Sequence, residues 1–457
     1  MDLECDLIII GGGLAGLVSG AIAAEAGIST ILLRKGQSAT AYSSGAIDVL
    51  GYLPETIEPF LSPSEGLLAI AGLYPLHPYS IVGYDEHVDT DSVVQTIVEK
   101  TREAIEWLKN HLDTSIAPLI GDFDTNRYPI TPFGTVKPTC LIQKTMDYHD
   151  LETREDSALL FVGFSGYPDF NPAAAANTYI EDRIASEAPP RKVGHCLVNI
   201  APFGKSYNLS AIEIARHFDH KESIEKLATL LKGPIKQLGA THLAFPPVLG
   251  IRNGLHNIEK LQDLTGGSIF ELLGIPPSIP GLRLQRSMED VFTRSGGKIL
   301  IGHEAVSCTK EGNRVTSIVA NSPRRQIKIA AKAVLLATGK FIGGGIKGDE
   351  SGFHEPVFNL MTVTGDYHSA DGVLPSRMTN RFAINPEGHA IEYCGLSVDP
   401  HFRPIRDDGL EWAENLFAAG SILAGYNYSV EKSGLGVATA TGYHAAKNAI
   451  EFIKEVE

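Results

Sequence analysis

The sequence predicts an α/β protein in which both ends of the chain build one nucleotide-binding domain around a smaller α+β insert. Two observations predict this arrangement. Residues 7–24 have the pattern of a buried strand, a glycine turn and a helix, and from residue 282 onward apolar strands again alternate with glycine turns. Between about residues 113 and 281, proline-spaced segments replace that pattern. The expected division is a discontinuous Rossmann-like domain at 1–90 and 282–457, and an inserted cap or substrate domain at 91–281.

The composition limits the partners that this chain can bind. Its 457 residues exceed what one simple core holds, so we expect about two or three domains. The formal net charge of −15 disfavours nucleic acid, which requires a basic surface, and direct adsorption to anionic lipid. The five cysteines form no C-x-x-C pair, so we expect neither a ferredoxin-type cluster nor a zinc ribbon. They are Cys5, Cys140, Cys196, Cys308 and Cys394.

The uncharged stretch at residues 7–24 is compatible with a membrane span, a secretory signal or the first βαβ unit of a nucleotide-binding fold. Acidic residues precede it, whereas a signal peptide begins with basic ones. Within it, Gly11, Gly13 and Gly16 match the dinucleotide fingerprint, whose glycines allow a tight turn, the approach of a pyrophosphate and close helix packing. Residues 28–33 supply the second strand. We therefore expect a domain of the FAD/NAD(P)-binding type and no membrane span.

One part of the fingerprint is missing at the end of the second strand. An acidic residue normally stands there, about 20 residues after the glycines, and accepts a hydrogen bond from the adenosine ribose. This chain has Arg34 and Lys35 at that place. Because a guanidinium cannot accept a hydrogen bond, either the chain binds adenosine differently or its ligand carries none. A cation at this position would also suit a phosphate.

The remaining pattern places ligand-binding segments at the ends of strands. Residues 36–54 are rich in small residues and predict a loop that runs past a ligand, with an ordinary surface loop as the alternative. A buried run at residues 333–337 ends in Thr338 and Gly339, which resembles a strand end of two-dinucleotide-fold flavoproteins. The last helix begins at residues 434–437, so its positive N-terminus could face the pyrimidine edge of a flavin. A helix that merely packs through small residues is the alternative.

The inserted segment shows no cofactor motif. His217 and His220 have a spacing that also occurs in metal sites, but no carboxylate-rich face accompanies them, and we interpret both as solvated. We expect short strands near residues 158–166 and 195–204, and helices over residues 91–112, 210–232 and 258–273.

Several short stretches are similar to those of a known family. They are GQSA at 36–39, SSG at 43–45 with Asp48, HPYS at 77–80, GLRLQ at 281–285, ATG at 337–339, Gly344-Gly345, Glu355-Pro356 and ENLFAAGSILAG at 414–425. Through them the chain resembles the B subunits of bacterial anaerobic glycerol-3-phosphate dehydrogenase. The resemblance covers both ends of the chain and is weak at about residues 113–244, so substrate contacts there cannot be transferred.

The resemblance implies a flavoprotein that converts sn-glycerol 3-phosphate to dihydroxyacetone phosphate and passes the electrons to a membrane quinone. FMN is the family's usual cofactor, and the missing acid agrees with it. The complete glycine fingerprint favours FAD, so we expect FMN with FAD as the alternative. The resemblance also implies two partners, a larger flavoprotein A subunit and an iron–sulfur C subunit that anchors the pair. This chain would then be cytoplasmic and peripheral on the inner face of the cell membrane.

The site residues follow from the fingerprint and from this resemblance. His77 is the candidate catalytic base, with a structural turn histidine as the alternative. Arg283 is the candidate phosphate ligand, with a helix-surface salt bridge as the alternative. No metal ligand is expected. The candidate cofactor-binding residues are Gly11, Gly13, Gly16, Ser43, Ser44, Gly45, Thr338, Gly339, Gly420, Ser421, Gly434, Leu435 and Gly436.

Several interpretations of function stay open at this point. The chain could oxidise the substrate itself, or it could only relay electrons from the flavin of the A subunit, in which case it needs no base. It could also be a self-contained flavin oxidoreductase of the fumarate-reductase type. Finally, it could be a non-catalytic assembly subunit that kept the fold, which Arg34 in place of an acid would suit.

Overall fold

The structure is a computed structural model, and it describes residues 3–54, 56–84, 90–200, 203, 208–220, 222–350, 352–364, 367–368, 378–383, 385 and 388–456. The strands are β1 Leu3–Ile10, β2 Thr30–Arg34, β3 Leu119–Gly121, β4 Leu141–Gln143, β5 Ala158–Phe164, β6 Lys192–Val198, β7 His242–Phe245, β8 Ser268–Glu271, β9 Lys298–Ile301, β10 Glu304–Glu311, β11 Arg314–Asn321, β12 Gln326–Leu336, β13 Lys347–Asp349, β14 Gly352–Glu355, β15 Leu360–Met361, β16 Val363–Thr364, β17 Tyr367–His368, β18 Cys394–Gly395 and β19 Leu416–Ala418.

The helices are α1 Leu14–Glu25, α2 Pro63–Leu73, α3 Pro78–Gly83, α4 Thr90–Leu112, α5 Pro172–Ala185, α6 Ala211–Phe218, α7 Ser223–Leu238, α8 Gly254–Thr265, α9 Ile279–Arg294, α10 Tyr428–Glu431 and α11 Gly434–Glu455. Short 3-10 turns cover Ala39–Tyr42, Lys144–Met146, Ala390–Tyr393 and Gly420–Ile422.

A seven-stranded sheet joins the two ends of the chain. Strands β9, β2, β1 and β12 run parallel in that order, and β19 pairs in parallel with the second half of β12. The first half of β12 pairs instead with β11, so β11 and β10 form an antiparallel extension. The continuous apolar run of β1 is buried, as is typical of parallel strands in sheets whose two faces are both covered. This arrangement confirms the α/β fold predicted from both chain ends.

Helices α9 and α11 flank α1 on the large sheet. Small residues let α1 and α11 approach closely, since a Cβ atom on Gly442 would lie 2.6 Å from the carbonyl oxygen of Ala15. On the other side, Gly20 faces the ring of Phe292 in α9. The glycines of α1 therefore serve helix packing as well as the turn that precedes the helix.

The inserted unit contains a four-stranded sheet in the order β6-β5-β7-β8. All of its strands are parallel, and α5 to α8 connect them. The insert is therefore an α/β unit and differs from the α+β segment that we expected. Short apolar runs do not show the direction in which strands pair, so the sequence pattern did not separate the two classes.

Two helices of the insert differ from the prediction. The helix expected at 210–232 is divided into α6 and α7 by the turn around Asp219. The helix expected at 258–273 ends at Thr265, because Gly266 adopts a left-handed conformation with φ of 74°. Strand β8 follows at once. The apolar residues of β8 have a spacing that also fits a helix, which explains the wrong prediction.

Helix α4 belongs with the large sheet, although we expected the insert to begin at residue 91. It packs against α11, α2 and α3, and Ile97, Ile105 and Leu108 join the core of the large sheet. A second core collects side chains from Ile130 to Ile279 around the four-stranded sheet. We therefore propose that most of the insert lies between β4 and α9.

A buried ion pair ties the insert to α9. The guanidinium of Arg283 lies 2.6 Å from one carboxylate oxygen of Glu271 and 3.0 Å from the other, and both side chains are fully buried. Its Nε also donates to the carbonyl of Gly250 at 3.0 Å, and Nη1 donates to Thr145 at 3.2 Å. The phosphate-binding role expected for Arg283 is therefore corrected, because its donors already serve buried acceptors.

Removing one member of this pair should destabilise the protein strongly. We expect Glu271→Ala to lower the free energy of unfolding by about 3–5 kcal/mol, because it leaves the Arg283 charge buried without its partner. Glu271→Leu combined with Arg283→Met should recover part of that loss. Urea unfolding followed by circular dichroism measures each change.

The matched control is Glu304→Ala, which breaks the exposed pair between Lys35 and Glu304. It should cost less than about 1 kcal/mol, since solvent screens an exposed pair. If Glu271→Ala and Glu304→Ala had equal effects, the buried pair would not hold the two units together.

A second buried carboxylate has a pKa in an accessible range. Glu355 at the end of β14 is fully buried, and burial raises its pKa from 4.5 to about 7, although the N–H groups of Phe358 and Val357 oppose that shift. A carboxyl whose pKa is raised by folding gives stability below its unfolded pKa and loses it as the pH rises through its folded pKa. The neutral acid is thus the form that the fold favours.

We therefore expect stability to fall by about 3 kcal/mol between pH 4.5 and 7 on account of Glu355, at about 1.4 kcal/mol for each unit of pKa. Glu355→Gln mimics the neutral acid and should remove this component. Urea unfolding midpoints across this range measure it, with the exposed Glu58→Gln as the control. Parallel pH curves for the wild type and Glu355→Gln would contradict the assignment.

Candidate cofactor-binding site

The candidate site lies where three parallel strands end. Ile10 of β1 pairs with Leu336 of β12, which pairs in turn with Ala418 of β19. The carboxyl ends of parallel strands meet at one edge of a sheet, where α/β proteins commonly bind ligands. The turns that follow these three strands therefore come together.

The turn after β1 is a glycine bend in which backbone meets backbone. Gly11 has φ of +118°, and a Cβ atom there would lie 2.1 Å from the carbonyl oxygen of Ala337. A Cβ atom on Gly16 would lie 2.1 Å from the carbonyl oxygen of Gly11. Gly13 differs, because a Cβ atom there would have an ordinary contact of 3.7 Å with Thr40 Oγ1. Gly11 and Gly16 are thus required by the fold, whereas Gly13 lies on the open side of the bend.

The N-terminus of α1 provides unpaired donors beside this bend. The N–H of Leu14 donates to Thr40 Oγ1 at 2.9 Å, and that of Leu17 begins the helical pattern by donating to the carbonyl of Gly13. The N–H groups of Gly12, Gly13 and Ala15 have no acceptor among the residues that the structure describes. Free N–H groups at the positive end of a helix form an anion-binding site.

The turns after β12 and β19 line the same bend. Thr338 Oγ1 is buried and has no hydrogen-bond partner within the described residues. Gly339 has φ of +73°, and a Cβ atom there would lie 3.3 Å from Ser421 Oγ. Gly420 donates its N–H to Thr441 at 2.8 Å and faces Ala15 of α1. The hydroxyl of Thr338 is thus a buried polar group beside the bend without a partner among the described residues.

The loop at residues 36–54 runs from the N-terminus of α1 to that of α11. At one end, Thr40 accepts the N–H of Leu14. At the other end, the carbonyl of Asp48 accepts the N–H of Gly436 at 2.8 Å. Most of the segment from Thr40 to this point is buried, so it lines the site and is not an ordinary surface loop. This segment is therefore hydrogen-bonded to the N-termini of both helices.

The remaining cofactor candidates lie along this loop or at its end. Ser43 and Ser44 are half-buried, and each hydroxyl accepts an N–H group two residues further along the loop. Gly45 has φ of +83° and packs against Pro280 at the start of α9. At the start of α11, a Cβ atom on Gly436 would lie 2.4 Å from the hydroxyl of Tyr79. Gly434 and Leu435 precede it and are half-buried.

His77 is buried behind the start of α11. Its Nδ1 accepts the N–H of Tyr79 at 3.1 Å and thereby caps α3. Its Nε2 lies 3.1 Å from Glu431, which is itself fully buried. Since Nδ1 is an acceptor, the proton lies on Nε2 and is donated to Glu431. This arrangement corrects the expected role of a base open to substrate, because both ring nitrogens are already paired.

Sequence analysis missed Lys340, which directly follows the turn after β12. Its Nζ donates to the carbonyls of Glu392 and Tyr426, and it lies 4.8 Å from the centroid of the Tyr426 ring. Burial lowers the pKa of Lys340 from 10.5 to about 8. The hydroxyl of Tyr426 is buried without a partner among the described residues. The signal that could have identified Lys340 in the sequence is its position directly after a strand that leads into the site.

A cluster of four side chains borders the bend on the β2 side, and we call it the rim cluster. The aliphatic part of Arg34 lies against Gly12, where a Cβ atom would be 2.6 Å from Arg34 Cδ. Arg34 pairs with Glu289 of α9. Gln285 Nε2 donates to the carbonyl of Gly12 at 2.8 Å and to Glu289 at 2.6 Å. Ser38 donates to the side-chain oxygen of Gln285 and completes the cluster.

The described residues show neither a metal cluster nor a helix fit to span a membrane. No group of three or more metal-ligating side chains comes together among them. His217 lies between the rings of Phe203 and Phe218, and burial lowers its pKa. It is therefore less solvated than expected. Within the same residues, no helix combines the length and the apolar character of a membrane span.

Comparisons with known proteins agree with this geometry. A family model described as "FAD binding domain" matches residues 6–437. The chain is 30% identical over 449 residues to the B subunit of anaerobic glycerol-3-phosphate dehydrogenase from Vibrio cholerae serotype O1, covering 97% of this chain and 96% of that one. It is 31% identical to a protein of Halobacterium salinarum that is named a probable B subunit of the same enzyme, covering 100% of both.

A solved structure, the 3-ketosteroid-Δ4-(5α)-dehydrogenase of Rhodococcus jostii RHA1, matches 98% of this chain and 97% of its own. The sequence identity is 13% and the TM-score is 0.40.

Thr338→Val should separate binding from stability. Valine keeps the shape of threonine and removes a buried hydroxyl that has no partner among the described residues, so the ligand-free protein should be as stable as the wild type or more stable. Binding of FAD should weaken by about fivefold, since one hydrogen bond contributes about 1 kcal/mol. Thermal unfolding and flavin fluorescence titration measure the two effects.

Thr101→Val is the matched control. Thr101 in α4 is fully buried, and its hydroxyl is also without a partner among the described residues. It belongs to α4 and not to the turns that line the bend. Its replacement should leave FAD binding unchanged. Equal FAD affinities in the wild type and Thr338→Val would show that the hydroxyl of Thr338 does not contact the ligand.

Proposed function

The chain belongs to the FAD-binding family and, within it, to the B subunits of anaerobic glycerol-3-phosphate dehydrogenase, and from this membership we propose that it oxidises sn-glycerol 3-phosphate to dihydroxyacetone phosphate. One observation carries the proposal above all. The match to the named B subunits extends over 97–100% of the chain, so it includes the insert as well as the glycine bend. The relatives and this chain therefore align over the residues of the large sheet and over those of the insert.

The residues of the site fit a flavin, and we propose FAD. The family model is an FAD-binding one and gives no support to FMN, our first expectation. The unpaired N–H groups of α1 would hold a pyrophosphate, and the hydroxyl of Thr338 would gain the partner that it lacks among the described residues. Gly434, Leu435 and Gly436 would lie at the other end, where the N-terminus of α11 favours negative charge.

When bound, FAD supplies the acceptor for the hydride that leaves C2 of the substrate. The chain itself would orient the ligand and exclude water from it. The bend and the loop at residues 36–54, most of which is buried from Thr40 to Asp48, would hold the ligand from both ends. His77 and Glu431 fix the start of α11, and Arg283 fixes the insert on α9. In this proposal His77 and Arg283 act as positioning residues, and neither one is assigned the hydroxyl proton.

We propose that the chain works within a membrane-associated complex. The names of the relatives describe a B subunit, which implies other subunits. The partners in this proposal are a larger flavoprotein A subunit and an iron–sulfur C subunit, which would pass electrons to a quinone at the inner face of the cell membrane. The net charge of −15 supports attachment through a partner, because anionic lipid repels an acidic surface.

A second candidate function is electron relay from a flavin on the A subunit. The observation that favours it is the placement of both expected catalytic side chains, which are buried against Glu431 and Glu271. A relay would need the flavin site described above but no substrate base. Reduction of the isolated chain by glycerol 3-phosphate decides between the two functions.

The test is an anaerobic titration of the purified chain with glycerol 3-phosphate. We expect the protein to be yellow, to release FAD on heating as identified by mass, and to lose its flavin absorbance when the substrate is added. Loss of absorbance only after the A subunit is supplied would favour the relay. A protein that takes up neither FAD nor FMN would overturn the proposal.

Gly13→Ala provides the variant for this titration. Its new methyl group meets no close atom of the protein, so the fold should persist while FAD affinity falls by about tenfold or more, because the methyl occupies the approach to the free N–H groups. Gly36→Ala is the control, since Gly36 is exposed and a Cβ atom there contacts nothing within 4 Å.

A further inference from the structure

The rim cluster contains the carboxylate that the end of β2 lacks. In the usual arrangement the acid follows β2 directly and accepts a hydrogen bond from the adenosine ribose. In this chain the position is Arg34, and Arg34 is paired with Glu289 from α9. The two side chains are 12% and 22% exposed, so the pair is mostly buried at the edge of the site. A carboxylate is thus present beside the bend, although it comes from another part of the chain.

Gln285 fixes the distance between this carboxylate and the bend. The amide nitrogen of Gln285 lies 2.8 Å from the carbonyl oxygen of Gly12 and 2.6 Å from Glu289 Oε1. Glu289 is therefore held next to the residue between the first two glycines of the fingerprint. Ser38, which also bonds Gln285, lies against Gly13. The cluster is attached to the bend itself and not only to α9.

One oxygen of the Glu289 carboxylate has no hydrogen-bond partner among the described residues. Oε1 accepts from both Arg34 and Gln285, whereas Oε2 has no partner among the described residues. A carboxylate oxygen in this state can accept one more hydrogen bond. The hydroxyl groups of a ribose are donors of the right kind.

Arg34 holds the Glu289 carboxylate in an ion pair at this place. Pairing with Arg34 gives the cluster no net charge. Arg34 thus has the opposite role to the one that its position in the fingerprint suggests: it holds and neutralises an acid instead of replacing it.

We propose that Glu289 takes the place of the missing acid and binds the adenosine ribose of FAD, which selects FAD over FMN. This inference rests on the proposed flavin site. FMN has no adenosine, so Glu289 would have nothing to bind in an FMN complex. The proposal also removes the conflict in the sequence between a complete glycine fingerprint and a basic residue at the end of β2.

The experiment measures the dissociation constants of FAD and FMN for the flavin-free protein by fluorescence titration. Glu289→Gln should raise the dissociation constant of FAD by about tenfold, as expected for a hydrogen bond to a charged group, and leave that of FMN unchanged. Asp290→Asn is the matched control, because Asp290 is the exposed neighbour on the same helix. It should change neither constant.

A second measurement compares two ligands on the same protein, so its wild-type result does not depend on how a variant folds. The wild type should bind ADP about tenfold more tightly than 2′-deoxy-ADP, measured by calorimetry. In Glu289→Gln the two ligands should bind equally. Equal binding of the two by the wild type, or equal effects of Glu289→Gln on FAD and FMN, would overturn the role of Glu289.

These outcomes separate this inference from the proposed function. If the wild type binds neither flavin, the proposed flavin site is wrong. If it binds FAD, is reduced by glycerol 3-phosphate and is unaffected by Glu289→Gln, only the ribose contact is wrong.

Discussion

The close approach of two backbones at Gly11 is the constraint on which the site depends. Without a side chain, Gly11 lets the carbonyl of Ala337 come to a distance that any Cβ atom would block. The end of β12 is therefore held against the bend after β1, and Thr338 lies beside the N-terminus of α1. Gly16 allows the helix to start close to the same bend. A different residue at Gly11 would separate the strand ends and disperse the donors that face the ligand.

The loop at residues 36–54 connects this bend with the start of α11. It is hydrogen-bonded to α1 through Thr40 and to α11 through Asp48. The loop thereby links the positive ends of the two helices. Each N-terminus favours negative charge only over about one helical turn. A ligand that uses both must therefore carry electron-rich groups at two separate points, as a flavin nucleotide does with its phosphates and its ring.

Local signals made part of this structure predictable from the sequence. The fingerprint at Gly11, Gly13 and Gly16 depends on residues a few positions apart, and it correctly indicated β1, α1 and the bend. The parallel sheet of the insert and the contact between Glu289 and Arg34 join segments far apart in the chain. No spacing rule encodes such contacts, because tertiary packing decides them. The same reason explains why His77 and Arg283 were assigned to chemistry before their buried partners were visible.

His77 and Arg283 both serve the packing of the protein through buried polar pairs. His77 with Glu431 and Arg283 with Glu271 are polar groups taken out of water, and each would be costly to bury without its partner. Once paired, neither side chain has a free donor or acceptor for a substrate. Around the glycine bend, the atoms without a partner in the described part of the chain include helix N–H groups and the hydroxyl of Thr338. The buried pairs of His77 and Arg283 therefore hold the surrounding elements together, whereas the unpaired N–H groups lie at the glycine bend.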